Sequence, residues 1–106
     1  MKKELKNLVT TLKALSDENR LEILSLIQKR NRLKRLESTR CEDATCIKDF
    51  SKALGITLPT ISHHIKELVN SGIVITHKKG KWVYCNINKN ALVKATKFLL
   101  NLATDK

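Results

Sequence analysis

The segment from Ile47 to Ile87 limits the possible folds more than any other part of the chain. Its first residues have the apolar spacing of a short helix, which stops at Gly55. A second helical series follows and ends at Gly72. Two β-rich runs then flank a lysine-rich stretch with one glycine, which is typical of a β-hairpin; the runs are 73–76 and 82–87.

The second helix of this segment has one apolar side and one polar side. Ile61, Ile65 and Leu68 recur at helical spacing, so we expect them to face the core. The opposite side carries hydroxyl, imidazole and ammonium groups, which match the donors and acceptors of base edges in a DNA major groove. Thr57 is expected to cap this helix, and His64 to be half-buried. The predicted DNA contacts from this helix are Thr57, Thr60, Ser62, His63 and Lys66.

The hairpin after this helix is basic. We expect His77–Lys81 to join the two strands, with Gly80 in the turn. A basic tip beside a groove-reading helix suits the minor groove or its phosphates. The predicted contacts are Lys78, Lys79 and Lys81. The fold class is therefore mainly α with a small β-hairpin wing, a winged helix-turn-helix.

Three further helices surround this unit in the sequence. The first covers residues 1–15 and has an apolar stripe that either the core or a second subunit must cover; it consists of Leu5, Leu8, Val9, Leu12 and Leu15. The second begins within 16–19, which supply its N-cap and first-turn acids, and its expected buried side is Leu21, Ile23, Leu24, Leu26 and Ile27. The last is capped by Asn88 or Asn90, and its apolar side is Leu92, Ala95, Phe98, Leu99 and Leu102.

Composition agrees with a polyanionic partner. The chain has 106 residues, and 21 Lys and Arg against 10 Asp and Glu give a formal net charge of +11. Such an excess favours nucleic acid, although solubility alone is the alternative. The basic tract at 28–40 is either a contact to DNA phosphates or a solvated helix end. No apolar run is long enough to span a bilayer, so we expect a cytoplasmic protein with no membrane partner.

The chain resembles the ArsR-type family of small winged-helix repressors. The resemblance is carried by three stretches that cover most of the chain: Ala14–Leu24, Leu54–Leu68, and Ser71–Val74 leading to Gly80–Tyr84. It implies a homodimer whose first and last helices pack across the two-fold axis; in this chain those helices are expected at 1–15 and 90–104. The whole chain, 1–106, is then a single domain. The resemblance also implies repression at palindromic operator DNA, released by an inducer that is often a thiophilic metal or metalloid.

The chain departs from this family at its metal sites. Members that sense soft metals commonly carry a Cys-x-Cys pair before the recognition helix, and the matching positions here are Cys46 and Lys48. Other members use His and carboxylate ligands on the last helix. Residues 90–106 contain no His or Cys, and Asp105 is their one acid, so that site is rejected.

Three cysteines could still form a thiol site. Thiolates prefer soft ions, so our hypothesis is an inducer site or a redox switch that uses Cys41, Cys46 and Cys85. The candidate ions are As(III), Cd(II), Pb(II) and Zn(II), and no cofactor is required. An extended segment near Cys46 that pairs with the second wing strand would bring Cys46 close to Cys85. The alternative is that Cys85 is a small buried apolar residue.

Two other functional classes compete with a DNA-binding repressor. A basic RNA-binding or ribosome-associated protein with structural cysteines fits the charge, but the sequence offers few aromatic residues for base stacking. An enzyme is not expected, because the sequence has no phosphate-binding loop and no recognisable nucleophile and base arrangement.

Overall fold

The computed structural model describes residues 2–36, 47–80 and 82–104. These residues form five helices and one hairpin, which are α1 (Lys2–Leu15), α2 (Glu18–Leu36), α3 (Ile47–Leu54), α4 (Leu58–Asn70), β1 (Val74–Lys79), β2 (Trp82–Ile87) and α5 (Lys89–Ala103). The order confirms the predicted winged helix-turn-helix. The predicted extended segment near Cys46 lies outside the described residues.

Helix α2 begins at a side-chain cap. Asp17 Oδ1 accepts a hydrogen bond of 3.1 Å from the backbone N–H of Arg20, and the Asp17 carbonyl accepts another from Leu21. This arrangement satisfies amide groups that the first turn of a helix leaves unpaired. The α1–α2 junction is thereby fixed within two residues, Ser16 and Asp17.

The core lies between α2, α3, α4 and the wing. It contains apolar side chains from each of these elements, among them Ile23, Ile27, Phe50, Ile61, Ile65, Leu68, Ile73, Val74 and Cys85. The prediction for Leu21 was wrong, because 49% of this side chain is exposed. Residues 20, 23, 24 and 27 follow helical spacing on the inward face of α2, and Leu21 falls outside that face.

Helix α4 ends in a glycine cap. Gly72 has a φ of +81°, its N–H donates to Val69 O, and the Ile73 N–H donates to Leu68 O. This is a Schellman motif, in which the two side chains that flank the cap also pack together. Leu68 and Ile73 are both fully buried in the core. The cap therefore sets the direction in which β1 leaves the recognition helix.

The hairpin has a shorter tip than predicted. The strands pair antiparallel from Val74↔Ile87 to Lys79↔Trp82, so the connection between the last paired residues is short. Short connections favour residues with positive φ, and Gly80 has a φ of +62°. His77, Lys78 and Lys79 therefore belong to β1, and the prediction that they lie in the loop was wrong.

The terminal helices pack against each other and leave apolar side chains exposed. Helix α1 turns Thr11 and Ala14 inward, whereas Leu5, Val9 and Leu12 of its predicted stripe are exposed. On α5, Ala95 is buried while the apolar residues after it are exposed, namely Phe98, Leu99, Leu100 and Leu102. The core of this chain thus covers these stripes only in part, through Leu15 and Leu92, which pack against it.

Candidate nucleic-acid interface

The turn before α4 is held by local hydrogen bonds. Gly55 has a φ of +68°, and its N–H donates to Ser51 O at 3.0 Å. The Ser51 hydroxyl donates to Ile56 O at 2.6 Å. The first bond closes the last turn of α3 and the second links that turn to Ile56, so together they fix the path of the chain from α3 toward α4. Ser51 was not identified from the sequence as a contributor to this geometry.

Helix α4 has the two sides that its sequence predicts. Its buried side chains are Ile61, His64, Ile65 and Leu68. The predicted contact residues all lie on the exposed surface of the helix or at its start: Thr57, Thr60, Ser62, His63 and Lys66. The surface that remains for a partner is therefore rich in hydroxyl, imidazole and ammonium groups.

Thr57 occupies the N-cap position of α4, but its side chain makes no capping hydrogen bond. Its hydroxyl lies 3.0 Å from the Thr60 hydroxyl instead. The predicted N-cap position is therefore confirmed, but the side-chain hydrogen bond of a cap is absent. The two hydroxyls form one hydrogen-bonded pair at the exposed N-terminal end of the helix.

His64 ties the buried side of α4 to the α1–α2 junction. Only 8% of His64 is exposed, so it lies deeper than predicted. Its Nδ1 accepts a hydrogen bond of 3.2 Å from Arg20 Nε, and Arg20 Nη1 donates to the Ala14 carbonyl at 3.4 Å. Arg20 thus links the end of α1 with the recognition helix. The sequence signal for this contact was only a cation on the inward face of α2, which does not identify its partner.

The wing extends from the same core. Lys78 is exposed on β1, opposite Val83. The His77 ring stacks on the Tyr84 ring with centroids 5.6 Å apart, and Asn86 Nδ2 lies 3.4 Å from His77 Nδ1. Of the other predicted wing contacts, Lys79 is the last residue of β1, and Lys81 lies outside the described residues.

The predicted thiol site is only partly within the described residues. Cys85 is 2% exposed and belongs to the core, as its strand position predicts. Cys41 and Cys46 lie outside the described residues. In the part of the chain that the structure describes, no three His, Cys, Asp or Glu side chains come together in a way that could hold a metal ion.

Comparison with known proteins identifies the family. The family described as "Bacterial regulatory protein, arsR family" matches residues 41–76. The arsenical resistance operon repressor of Staphylococcus aureus is 36% identical over 83 residues, which are 78% of this chain and 67% of that protein. The chain belongs to the ArsR family. The corresponding repressor of Escherichia coli is 30% identical over 91 residues, covering 86% of this chain and 68% of that protein.

Other relatives are longer than this ArsR-family chain. The cadmium resistance transcriptional regulatory protein CadC of Listeria innocua is 36% identical over 72 residues, which are 68% of this chain and 50% of that protein. The match thus spans about half the length of CadC. All the relatives named above are described as regulators or repressors, and such proteins are not enzymes.

Solved structures share the fold. The crystal structure of an ArsR family transcriptional regulator matches with a TM-score of 0.72 at 21% identity, over 97% of this chain and 90% of that chain. A homodimeric winged helix-turn-helix DNA-binding domain from Mycobacterium bovis matches with a TM-score of 0.65 at 20% identity, over 96% of this chain and 84% of that chain. Among the described residues, no helix has both the length and the apolar composition to cross a membrane.

Proposed function

We propose that this chain is a homodimeric repressor that binds double-stranded operator DNA in the bacterial cytoplasm. The observation that carries the proposal is the exposed polar face of α4, held on the core by Ile61, Ile65 and Leu68. A helix that is fixed on one side and polar on the other can enter a major groove while its apolar side stays packed on the core.

The roles we assign to the exposed side chains differ. Ser62 and His63 lie in the first two turns of α4, where base edges are contacted in helix-turn-helix proteins. Lys66 lies one turn further on, and Lys78 lies on the wing; both are exposed and suited to phosphate oxygens. We also assign DNA contacts from the wing to Lys79 and Lys81, and DNA contacts from the start of α4 to Thr57 and Thr60. The basic tract at 28–40 has no assigned role.

A dimer would account for the apolar terminal helices. Leu5, Val9 and Leu12 on α1 and Leu99 and Leu102 on α5 are exposed within one chain. Packing these helices across a two-fold axis would remove that apolar surface from water. It would also present two copies of α4 to half-sites about one helical turn apart on the DNA.

Release by a thiophilic ion or by thiol oxidation is the second part of the proposal. It is supported by the names of the arsenical and cadmium resistance relatives and by the affinity of thiolates for soft ions. As(III), Cd(II), Pb(II) and Zn(II) remain the candidates. Cys85 is buried, so an ion bound there would have to disturb the core. Cys41 and Cys46 are the other proposed ligands.

DNA binding is tested by fluorescence anisotropy with the duplex upstream of the gene, compared with a random duplex of equal length. We expect tight, salt-dependent binding to the upstream duplex and weaker binding to the random one. Ser62→Ala with His63→Ala should reduce the difference between the two duplexes. No preference for any upstream duplex would contradict the proposal, and a preference for single-stranded RNA would favour the RNA-binding alternative.

The inducer is tested on the same complex. Arsenite or Cd²⁺ is added to the reduced protein, and Cys41→Ser with Cys46→Ser provides the matched control. Release of DNA from the wild type, but not from the double variant, is expected. If no thiophilic ion releases the DNA, and peroxide does not do so reversibly, the cysteines have no role in induction.

A further inference from the structure

Leu58 is an apolar side chain at the start of the recognition helix, and 40% of it is exposed. The core of this region is already formed by its neighbours, since Ile61 is fully buried and Ile56 packs against the core. Leu58 belongs neither to this core cluster nor to the partly buried side chains that pack against it. Its exposure places an aliphatic group, beside the exposed Pro59, at the N-terminal end of a surface that consists mostly of hydroxyl, imidazole and ammonium groups.

The position of Leu58 relates it to the proposed DNA contacts. Side chains four residues apart lie next to each other on one face of a helix. Leu58, Ser62 and Lys66 follow this spacing, and Ser62 and Lys66 are both exposed. Ile61 and Ile65, three and seven residues after Leu58, are buried, so Leu58 lies at the border between the two sides of α4. The rise along the helix from Leu58 to Ser62 is about 6 Å. Since base pairs are stacked about 3.4 Å apart, the two side chains would face positions separated by one or two base-pair steps.

Thymine is the one base with an apolar group in the major groove, its C5-methyl, and apolar side chains recognise it there. On this basis, and resting on the proposed function, we infer that Leu58 reads a thymine in each operator half-site by packing its δ-methyl groups on the thymine C5-methyl. The polar residues of α4 would select bases by hydrogen bonds, whereas Leu58 selects one by contact with a methyl group.

The test removes that methyl group alone. Each thymine of the upstream duplex is replaced in turn by deoxyuridine, together with its symmetry-related thymine, and binding is measured by anisotropy. For the wild type we expect one pair of positions at which binding weakens, by about fourfold for each methyl group removed. That position should lie within two base-pair steps of the one at which Ser62→Ala changes base preference.

Variants of the protein separate this contact from other effects. Leu58→Ala should bind the duplex more weakly and be insensitive to deoxyuridine at that position, whereas Leu58→Met should remain sensitive. Val69→Ala removes another exposed apolar side chain of α4, 37% exposed and near the C-terminal end. This control should keep the full effect of deoxyuridine.

The outcomes are distinct. If the wild type prefers the upstream duplex but no thymine shows sensitivity, or if Leu58→Ala is as sensitive as the wild type, the inference about Leu58 is wrong and the repressor proposal stands. If the wild type has no preference for any upstream duplex before the scan, the proposed function fails and the inference falls with it.

Discussion

Arg20 Nε donates a hydrogen bond of 3.2 Å to His64 Nδ1, and this bond joins the first turn of α2 to the buried side of the recognition helix. Because Nδ1 accepts, the neutral ring carries its proton on Nε2. The same guanidinium donates to the Ala14 carbonyl near the end of α1. One side chain therefore positions α4 relative to α1, the helix whose other side is the proposed dimer surface.

Removal of this bond should lower stability. In His64→Ala the Arg20 guanidinium is left without one partner in a partly buried site, and we expect the free energy of unfolding to fall by about 1–3 kcal/mol. His63 provides the matched control, because it is the neighbouring residue on the exposed side of α4. His63→Ala should change stability by less than about 0.5 kcal/mol while reducing discrimination of the operator. Urea denaturation gives both values, and equal decreases in the two variants would contradict this role of His64.

Periodicity predicted the recognition helix well but could not predict the Arg20–His64 contact. Ile61, Ile65 and Leu68 are buried as their spacing indicates, because that spacing is set within one helix. Arg20 and His64 are 44 positions apart, and the spacing within a helix does not say which residue of another helix faces it. The sequence could show only that a cation shares the inward face of α2.

The apolar side of α1 illustrates a second limit. Val9 belongs to a regular apolar stripe, yet Thr11 and Ala14 are the residues that α1 turns toward its own chain. A stripe shows that a surface needs covering, but it does not show whether the core or a second subunit covers it. Thr11 and Ala14 are buried, whereas Leu5, Val9 and Leu12 remain exposed within one chain.

The wing should contribute a uniform, salt-dependent part of DNA binding. Replacing Lys78 with Ala removes an exposed charge without changing a base contact, so affinity for operator and random duplex should fall by the same factor. The slope of log K against log salt should become shallower by about 0.9 for each phosphate that the variant no longer neutralises. Lys97→Ala, an exposed lysine on α5, is the control and should leave the slope unchanged. A selective decrease in operator binding by Lys78→Ala would show that Lys78 reads bases.

The terminal helices give a prediction about oligomeric state. Val9 on α1 and Leu21 on α2 are equally exposed, at 49% each, but only Val9 lies on the proposed dimer surface. Val9→Lys should place two desolvated ammonium groups in the dimer and shift the protein toward monomers. Leu21→Lys should leave the dimer intact. Sedimentation equilibrium measures both, and a monomeric Leu21→Lys or a dimeric Val9→Lys would contradict the assignment of the surface.

Burial of Cys85 predicts a slow thiol. Cys85 is 2% exposed and packs in the core with residues of the helices, so a reagent reaches it only when the structure opens. In the reduced native protein, alkylation of the peptide that contains Cys85 should be at least about tenfold slower than in urea, since opening costs more than about 1.4 kcal/mol. Mass spectrometry follows the reaction. The rate at which Cys85 is alkylated in the Gly72→Ala variant provides a comparison. That variant strains the cap that leads into β1 by about 1–2 kcal/mol, so Cys85 should react faster in it. Rapid alkylation in the native wild type would mean that Cys85 is accessible to an inducer without any opening of the core.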